Sequence, residues 1–323
     1  MSGPQLQGAS LARAQLQKAK LSKAQLQRAF LVEAQLQEAN FKDAQLQRTR
    51  LIGAQLQRAS LRDANLQEAN LLRAQLQEAW LWRVQLQRAN LCEVKLQGAD
   101  LFDIVFSDEN HVGPYLVDIE WGDTNLAVVD WSRIKVLSDE YWWIQGKRGM
   151  NEFITRRGYA AFELYLKDPQ LKYREALRAN RQLSVTLQNQ GLNEDAARFA
   201  YRAQRVQRML LRQQHKFGQY LFSWFLDLIA GYGYRPGRSV CWYLVVILGF
   251  ALAYHLFGGL SLFPPDAFIY SLTSFHGRGF FPGLEHTTSL HDPLIMLAAL
   301  EAVVGLLIEI SFIATFTQRF FGK

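Results

Sequence analysis

The sequence predicts a multidomain membrane protein: a β-solenoid, an α-helical hairpin, and two transmembrane helices with a short re-entrant helix between them. Three observations predict it. A five-residue repeat runs through the first third of the chain. Two long apolar runs lie near its end, joined by a segment that is partly apolar and broken by glycine and proline. The charge divides the same way. Residues 239–323 carry three basic and five acidic side chains, so the +7 of the 323-residue chain comes from the residues before them. A basic front and a nearly uncharged apolar end disfavour a simple soluble enzyme. Cys92 and Cys241 are too few for a disulfide framework or a cysteine-rich metal site. The stretch Met1 to Ser10 has no apolar core of the kind a signal peptide needs.

The repeat comes first. From Leu11 to Leu101 every fifth residue is Leu or Phe, nineteen in succession, and two places before each stands Ala, with Thr49, Val84 and Val94 the exceptions. An α-helix cannot use this spacing, because five residues advance about 500° and the leucines would wind around its whole surface. Ala and Leu two apart fit a short strand that shows both to one side, with the next two residues turning a corner. Small and large apolar side chains then fill a narrow solenoid. The unit A-x-L-x-x resembles the pentapeptide-repeat family, which implies a right-handed quadrilateral β-helix with four pentads per coil. Nineteen pentads make close to five coils, a rod roughly 23 Å long at ~4.8 Å per coil. Gln recurs every ten residues, and a twenty-residue coil stacks Gln17, Gln37, Gln57, Gln77 and Gln97 in one column and Gln27, Gln47, Gln67 and Gln87 in the opposite one. These columns are either amide ladders or merely outward polar positions. The repeat holds fourteen basic and nine acidic residues, the wrong sign for a DNA mimic, and no motif supports nucleic-acid binding.

After about residue 108 the repeat fades into a cap and linker over 109–150. A solenoid leaves an open edge that must be covered, and Trp121, Trp131, Trp142 and Trp143 are the capping aromatics. Residues 151–218 hold the hairpin: one helix over 169–190 ending at Gly191, and a second over 194–215 capped by Asn193. Arg198, Arg202, Arg205 and Arg212 follow one face of the second helix. That face is either solvated or a contact for acidic lipid headgroups or an anionic ligand. Residues 219–238 form an interfacial helix with Tyr220 and Trp224, broken by Gly-Tyr-Gly-Tyr-Arg-Pro-Gly over 231–237.

Residues 239–323 form the membrane part. Spans over about 240–257 and 294–316 are each long enough for ~30 Å of hydrocarbon. Arg235 and Arg238 precede the first, Arg319 and Lys323 follow the second, and the connector carries a single Arg. The positive-inside rule therefore sets both termini in the cytoplasm, in a multi-pass protein of the cell (inner) membrane. Within the connector, a short helix over about 265–275 is followed by glycines. Such a re-entrant element is tolerated at membrane depth only when it is buried in protein or lines water.

Asp266-Ala267-Phe268-Ile269-Tyr270-Ser271 with Ser274-Phe275, and Ala299-Leu300-Glu301-Ala302 with Gly305-Leu306-Leu307, resemble the pore helix and inner helix of the two-transmembrane pore domain of the potassium-channel family. Together with the repeat, the hairpin and the GYGxRP text, the chain resembles bacterial pentapeptide-repeat channel-like proteins. The resemblance implies subunits around one central pore, as a homotetramer. The filter region covers Thr273, Ser274, Phe275, His276, Gly277, Arg278, Gly279, Phe280 and Phe281. It departs from T-x-G-Y-G: either Gly279-Phe280 or Gly277-Arg278-Gly279 takes the place of the central glycines. Arg278 is either a ring of positive charge that favours anions or an outward partner of Glu285. Glu301 and Glu309 are expensive in lipid and face the interior or the pore. Glu309 is the stronger pore candidate, and Glu301 supports the short helix from behind.

The leading function is an oligomeric ion channel with a cytoplasmic repeat domain and a divergent filter that is not potassium-selective. Its partners are the lipid bilayer, permeant ions and its own copies, with no nucleic acid. The alternative is a membrane-anchored scaffold with a closed pore. No nucleophile–base pair, metal-ligand cluster or phosphate loop occurs, so neither an enzyme, a metal nor a cofactor is expected.

Overall fold

The computed structural model describes residues 3–109, 112–140, 167–234, 236–258, 260, 266–277 and 293–320. It divides into two compact units, Met1–Gln214 and His215–Lys323, taken here in turn.

The first unit begins with the solenoid. Parallel β-bridges link residues twenty apart from Gln5 with Gln25 up to Gln85 with Val105, so four pentads make one coil. Each rung is a single bridge: among the described residues no extended strand forms. The reason is local. A two-residue turn interrupts the chain every five residues, leaving only the residue between Ala and Leu to pair with the coils on either side. The turn closes by a bond from the Ala N–H to the Leu carbonyl three residues earlier, as from Ala9 to Leu6 at 3.1 Å. Its second central residue has φ near +60° at each of the corners from Gly8 to Asp103, the feature of a type II turn. The corner is normally glycine's place, yet here it is almost always Arg, Lys, Glu or Asp. Inside, the Ala and Leu columns are fully buried from Ala24 to Leu101.

The charged corners stack at twenty-residue intervals and pair with one another. Arg13 meets Glu33 at 2.7 Å, Arg48 meets Glu68 at 2.8 Å, Arg58 meets Glu78 at 2.8 Å, Arg73 meets Glu93 at 2.7 Å and Arg83 meets Asp63 at 2.6 Å. Hydrogen bonding to Arg83 holds the Asp63 carboxyl below its ordinary range. The glutamines behave differently from the vertical columns expected of them. Gln37 donates to Gln55 at 2.5 Å, Gln57 to Gln75 at 2.6 Å and Gln67 to Gln85 at 3.2 Å, and Gln17 donates to Gln35. Each turn amide thus reaches diagonally to the bridge position of the next coil, while Gln27 and Gln47 turn back to Gln25 and Gln45 in their own.

The last coil is five residues longer, pairing Asn90 with Tyr115 and Lys95 with Glu120. Above it the open end is covered. Trp131 is stacked on Phe106 and packed edge-on against Trp121 and Phe199, and its indole N–H donates to the Leu126 carbonyl at 2.9 Å. Trp142 and Trp143 lie outside the described residues. The hairpin consists of α1, Leu171–Asn189, and α2, Asn193–Gln213. At the end of α1, Leu192 donates to Leu187 and Gly191 to Gln188, both at 2.9 Å, with Gly191 at φ +76°. These are the two bonds of a Schellman motif. Asn193 is the first residue of α2 and makes no side-chain cap, because that tight closure leaves Leu192 at the cap position.

The hairpin shares the solenoid's core through Ala179, Leu183, Leu187, Ala196 and Phe199. Polar bonds fix it there. Arg178 meets Asp118 at 2.7 Å, and Gln190 donates to the Thr124 carbonyl at 2.7 Å while accepting from the Leu126 N–H at 2.8 Å.

The second unit holds α3, Phe217–Ala230, α4, Pro236–Gly258, α5, Asp266–Phe275, and α6, Pro293–Phe320. Helix α3 stops at Gly231 in the left-handed region. Its last carbonyls, which lack partners within the helix, accept from the start of α4: Arg238 bonds the Asp227 carbonyl at 3.0 Å, Trp242 that of Leu228 at 3.0 Å and Ser239 that of Ile229 at 3.3 Å. Phe217, Leu221, Phe222 and Trp224 of α3 remain exposed.

Residues Gly237–Phe257 and Ile295–Ile313 are long and apolar enough to cross a membrane, and only 17% and 22% of them are buried inside the chain. A core helix of a soluble protein would be mostly covered. Their outward Leu, Val and Ile side chains instead face whatever surrounds the unit.

Candidate functional site

The polar groups of the second unit gather on one seam between α4, α5 and α6. Glu301, Gly305 and Glu309 recur every four residues and so share one face of α6. Tyr243 and Tyr254, eleven apart, share one face of α4, and Ser271 and Phe275 share one face of α5. Packing the three faces together makes three levels.

At the first level Glu301 is fully buried. The Tyr254 hydroxyl lies 2.7 Å from its Oε2, and the Ser271 hydroxyl lies 2.5 Å from its Oε1 and 2.9 Å from the Ile247 carbonyl oxygen. One carboxyl group thus joins all three helices, with the ring of Tyr254 set edge-on to Tyr270 at 4.6 Å. Burying a carboxyl group is costly unless it is hydrogen-bonded on each oxygen, and here it is.

At the second level Gly305 lets α6 approach the end of α5. A Cβ there would overlap the Phe275 carbonyl oxygen and stand 3.0 Å from its carbon and 3.1 Å from the ring. At the third level His276 leaves the end of α5. Its Nδ1 lies 2.5 Å from Glu309 Oε1, and its Nε2 lies 3.1 Å from the Tyr243 hydroxyl. Gly277, at φ +66°, closes the helix by donating to the Ser274 carbonyl at 2.9 Å. Beside this group opens a cavity of about 420 Å³, walled by Val240, Ile308, Phe312 and Ile313, with Ser239, Tyr243, His276 and Glu309 as its polar members.

The expected site residues distribute as follows. Thr273 bonds back to the carbonyls of Ile269 and Tyr270 within α5, Ser274 and Phe275 are buried, and His276 and Gly277 form the turn after it. Arg278, Gly279, Phe280 and Phe281 lie outside the described residues, as does Glu285. Glu301 and Glu309 face inward on the seam. Tyr243, Tyr254 and Ser271 were not among the expected residues, although the spacing of the two tyrosines along α4 carries the signal.

In the first unit the arginines of α2 do not form one surface. Arg202 turns inward to Glu140 at 3.3 Å and to the Ile134 carbonyl at 3.1 Å, with both charged groups nearly buried. Arg198 pairs with Asp195 at 3.1 Å, whose carboxyl burial pushes above its ordinary range. Only Arg205 and Arg212 are exposed. The single four-arginine face, read as either solvated or a contact for headgroups or an anionic ligand, is corrected in one respect: Arg202 turns toward the cap, where Glu140 supplies its counter-charge.

Comparison with known proteins follows this division. A family model for pentapeptide repeats matches residues 2–31, 31–68 and 69–108, in eight copies. The first third of the chain is therefore a pentapeptide-repeat domain. Similar solved structures include Rfr23, a pentapeptide repeat protein from the cyanobacterium Cyanothece 51142, 33% identical over 32% of this chain and 64% of that one, with a TM-score of 0.28. HetL, a pentapeptide repeat protein involved in heterocyst differentiation regulation from Nostoc sp. strain PCC 7120, is 25% identical over 38% of this chain and 74% of its own, with a TM-score of 0.20. QnrB1, a plasmid-mediated fluoroquinolone resistance protein, is 20% identical over 41% and 76%, with a TM-score of 0.18. The chain spans a little under two thirds of the length of Rfr23. Among curated proteins none matches it. The chain thus carries a pentapeptide-repeat domain over residues 2–108 and, further on, two helices long and apolar enough to cross a membrane.

Proposed function

We propose that the protein is the subunit of an oligomeric ion channel, with α4 and α6 as its spans and α5 as a re-entrant pore helix. The observation that supports it is the polar seam. Two carboxyl-bearing residues lie on one face of an otherwise apolar span, and both are held by groups on or just after a short helix that lies between the two spans. Carboxyl groups at membrane depth mark ion or proton pathways far more often than structure. By the charge of the flanking segments both termini lie in the cytoplasm. Resemblance to two-transmembrane pore domains sets four copies around one pore. The repeat domain is then a cytoplasmic appendage of the channel, and α3 lies along the bilayer surface.

The test is a planar-bilayer recording of the purified protein under a tenfold KCl gradient. The expected result is a current with a reproducible reversal potential that shifts in Glu309→Gln. A reversal near the chloride potential assigns Arg278 to the selectivity ring, and Arg278→Ala then abolishes that preference. A reversal near the potassium potential assigns the selectivity to carbonyls and Glu309. Absence of current across voltage, pH and lipid composition overturns the proposal in favour of a membrane-anchored scaffold.

A further inference from the structure

One corner of the solenoid is built unlike the other three. At its first turn position stand Ala12, Val32, Ile52, Leu72 and Cys92, an apolar stripe one residue wide, where two of the other corners carry Gln at every level. Val32, Ile52 and Leu72 are partly buried, each keeping some surface outside. At the second turn position stand Arg13, Glu33, Gly53, Arg73 and Glu93. Both columns are in strict register, because the N–H of each second residue donates to the carbonyl of the first residue one coil on: Arg13 to Val32 at 2.8 Å, Glu33 to Ile52 at 2.8 Å, Gly53 to Leu72 at 2.8 Å and Arg73 to Cys92 at 3.0 Å.

The order of these residues is self-complementary. Read upward from Arg13 to Glu93, the charged column runs plus, minus, none, plus, minus; the level above, Asp118, is taken by Arg178 of α1. Read downward, it runs minus, plus, none, minus, plus. Two copies related by a two-fold axis at Gly53, perpendicular to the rods, would set Arg13 against the partner copy's glutamate 93 position and Glu33 against its arginine 73 position. The apolar column would match by size at its exposed levels, Ile52 against itself and Val32 against leucine, while Cys92 is buried in its own chain and takes no part. The axis passes where the charged column has no side chain, and a Cβ at Gly53 would touch only the Glu33 Cγ at 3.6 Å, so the two facing Ile52 side chains alone set the spacing there.

The internal pairs Arg13–Glu33 and Arg73–Glu93, each at 2.7 Å, would then close into two four-charge squares of alternating sign. Parallel rods cannot do this, since a two-fold along the rods sets each charged column against the partner's apolar one. Arg50, the one nearby charge that meets its own copy, is drawn along its face over the Phe30 ring at 4.9 Å.

We propose that this corner is an antiparallel, two-fold contact between two copies of the chain. From the Arg13 level to the Glu93 level it is about 19 Å long and two residues wide, too small to hold two copies together by itself. It therefore acts between copies held at high local concentration.

The experiment is disulfide cross-linking of the full chain in detergent, in a Cys92→Ala, Cys241→Ser background. Ile52→Cys is expected to cross-link to itself. Val32→Cys alone is expected not to, but to do so when mixed with Leu72→Cys. Self-cross-linking of Val32→Cys means a contact in another register, and no cross-link at Ile52→Cys means no contact at this corner; either overturns the proposal. Charge reversal provides a second readout. Glu33→Arg is expected to lower the cross-linked fraction of Ile52→Cys at least about tenfold. Adding Arg73→Glu restores it, even though the internal pairs become like-charged. If the double variant cross-links less than the single one, the charges serve only within one rod and the proposal fails.

Discussion

Replacing Gly305 by Ala tests the seam at its tightest point. The added methyl would overlap the carbonyl oxygen of Phe275, with the carbonyl carbon at 3.0 Å and the ring at 3.1 Å. Two of these atoms are backbone, so a rotamer change gives no relief. Carbon contacts are comfortable at about 3.5 Å and beyond, so α6 and the end of α5 must part by roughly 1 Å. That movement carries His276 away from Glu309. Their 2.5 Å contact opens to about 3.5 Å, past the range of an N–H···O bond.

Overpacking of this kind costs about 1–3 kcal/mol. Gly249 in α4 supplies the control, because a Cβ there meets nothing within 4 Å, and Gly to Ala inside a helix is worth about 1 kcal/mol in the opposite direction. Thermal melts of the full chain in one detergent, followed by tryptophan fluorescence, are expected to fall for Gly305→Ala and to hold or rise for Gly249→Ala. Equal melts for the two variants would refute the reasoning.

Other outcomes follow from the same geometry. Leu56→Ala, at a fully buried level mid-solenoid, is expected to lower the stability of the first unit by about 2–5 kcal/mol, read by urea titration. Arg202→Ala strands Glu140, which also accepts from Asn180 at 2.6 Å, and should cost about 3–5 kcal/mol in the same assay. Arg58→Ala removes an exposed corner pair and should leave the urea midpoint unchanged. Asp195 has its folded-state carboxyl pKa raised by burial. The stability it contributes is present below its unfolded value and is lost as pH rises through the folded one. Asp195→Asn should therefore melt higher than the parent at neutral pH and alike in acid.

Much of this was legible because the residues that matter repeat. The Ala and Leu columns declared an inward side every five residues, and no helix could use that spacing. The apolar runs and the short helix read over about 265–275 set the helices of the second unit to within a few residues. What could not be read was anything set by a neighbour at long range. The turn amides had two equally polar targets, and only the true stagger of adjacent coils sends Gln57 to Gln75 instead of up its own column. Arg202 lies on the same helical face as exposed arginines, and its fate was decided by Glu140 sixty-two residues earlier. His276 was read as a filter residue, whereas its nearest partner is a carboxylate thirty-three residues on. The spacing of Glu301, Gly305 and Glu309 was in plain view, but a shared face becomes a site only when the opposing faces are known.

The four-sided coil makes the solenoid an indexing screw. One pentad is a quarter turn and one coil is a rise of ~4.8 Å. Insertion or deletion of twenty residues would change the rod's length and leave every corner in line. Insertion of five would keep the core pattern intact while rotating everything beyond it, including the capping hairpin, to the adjacent side. The chain itself shows the other way to take up five residues: they fall between Val105 and Tyr115, yet Tyr115 still pairs with Asn90 and Glu120 with Lys95, so the columns and the cap above them keep their sides.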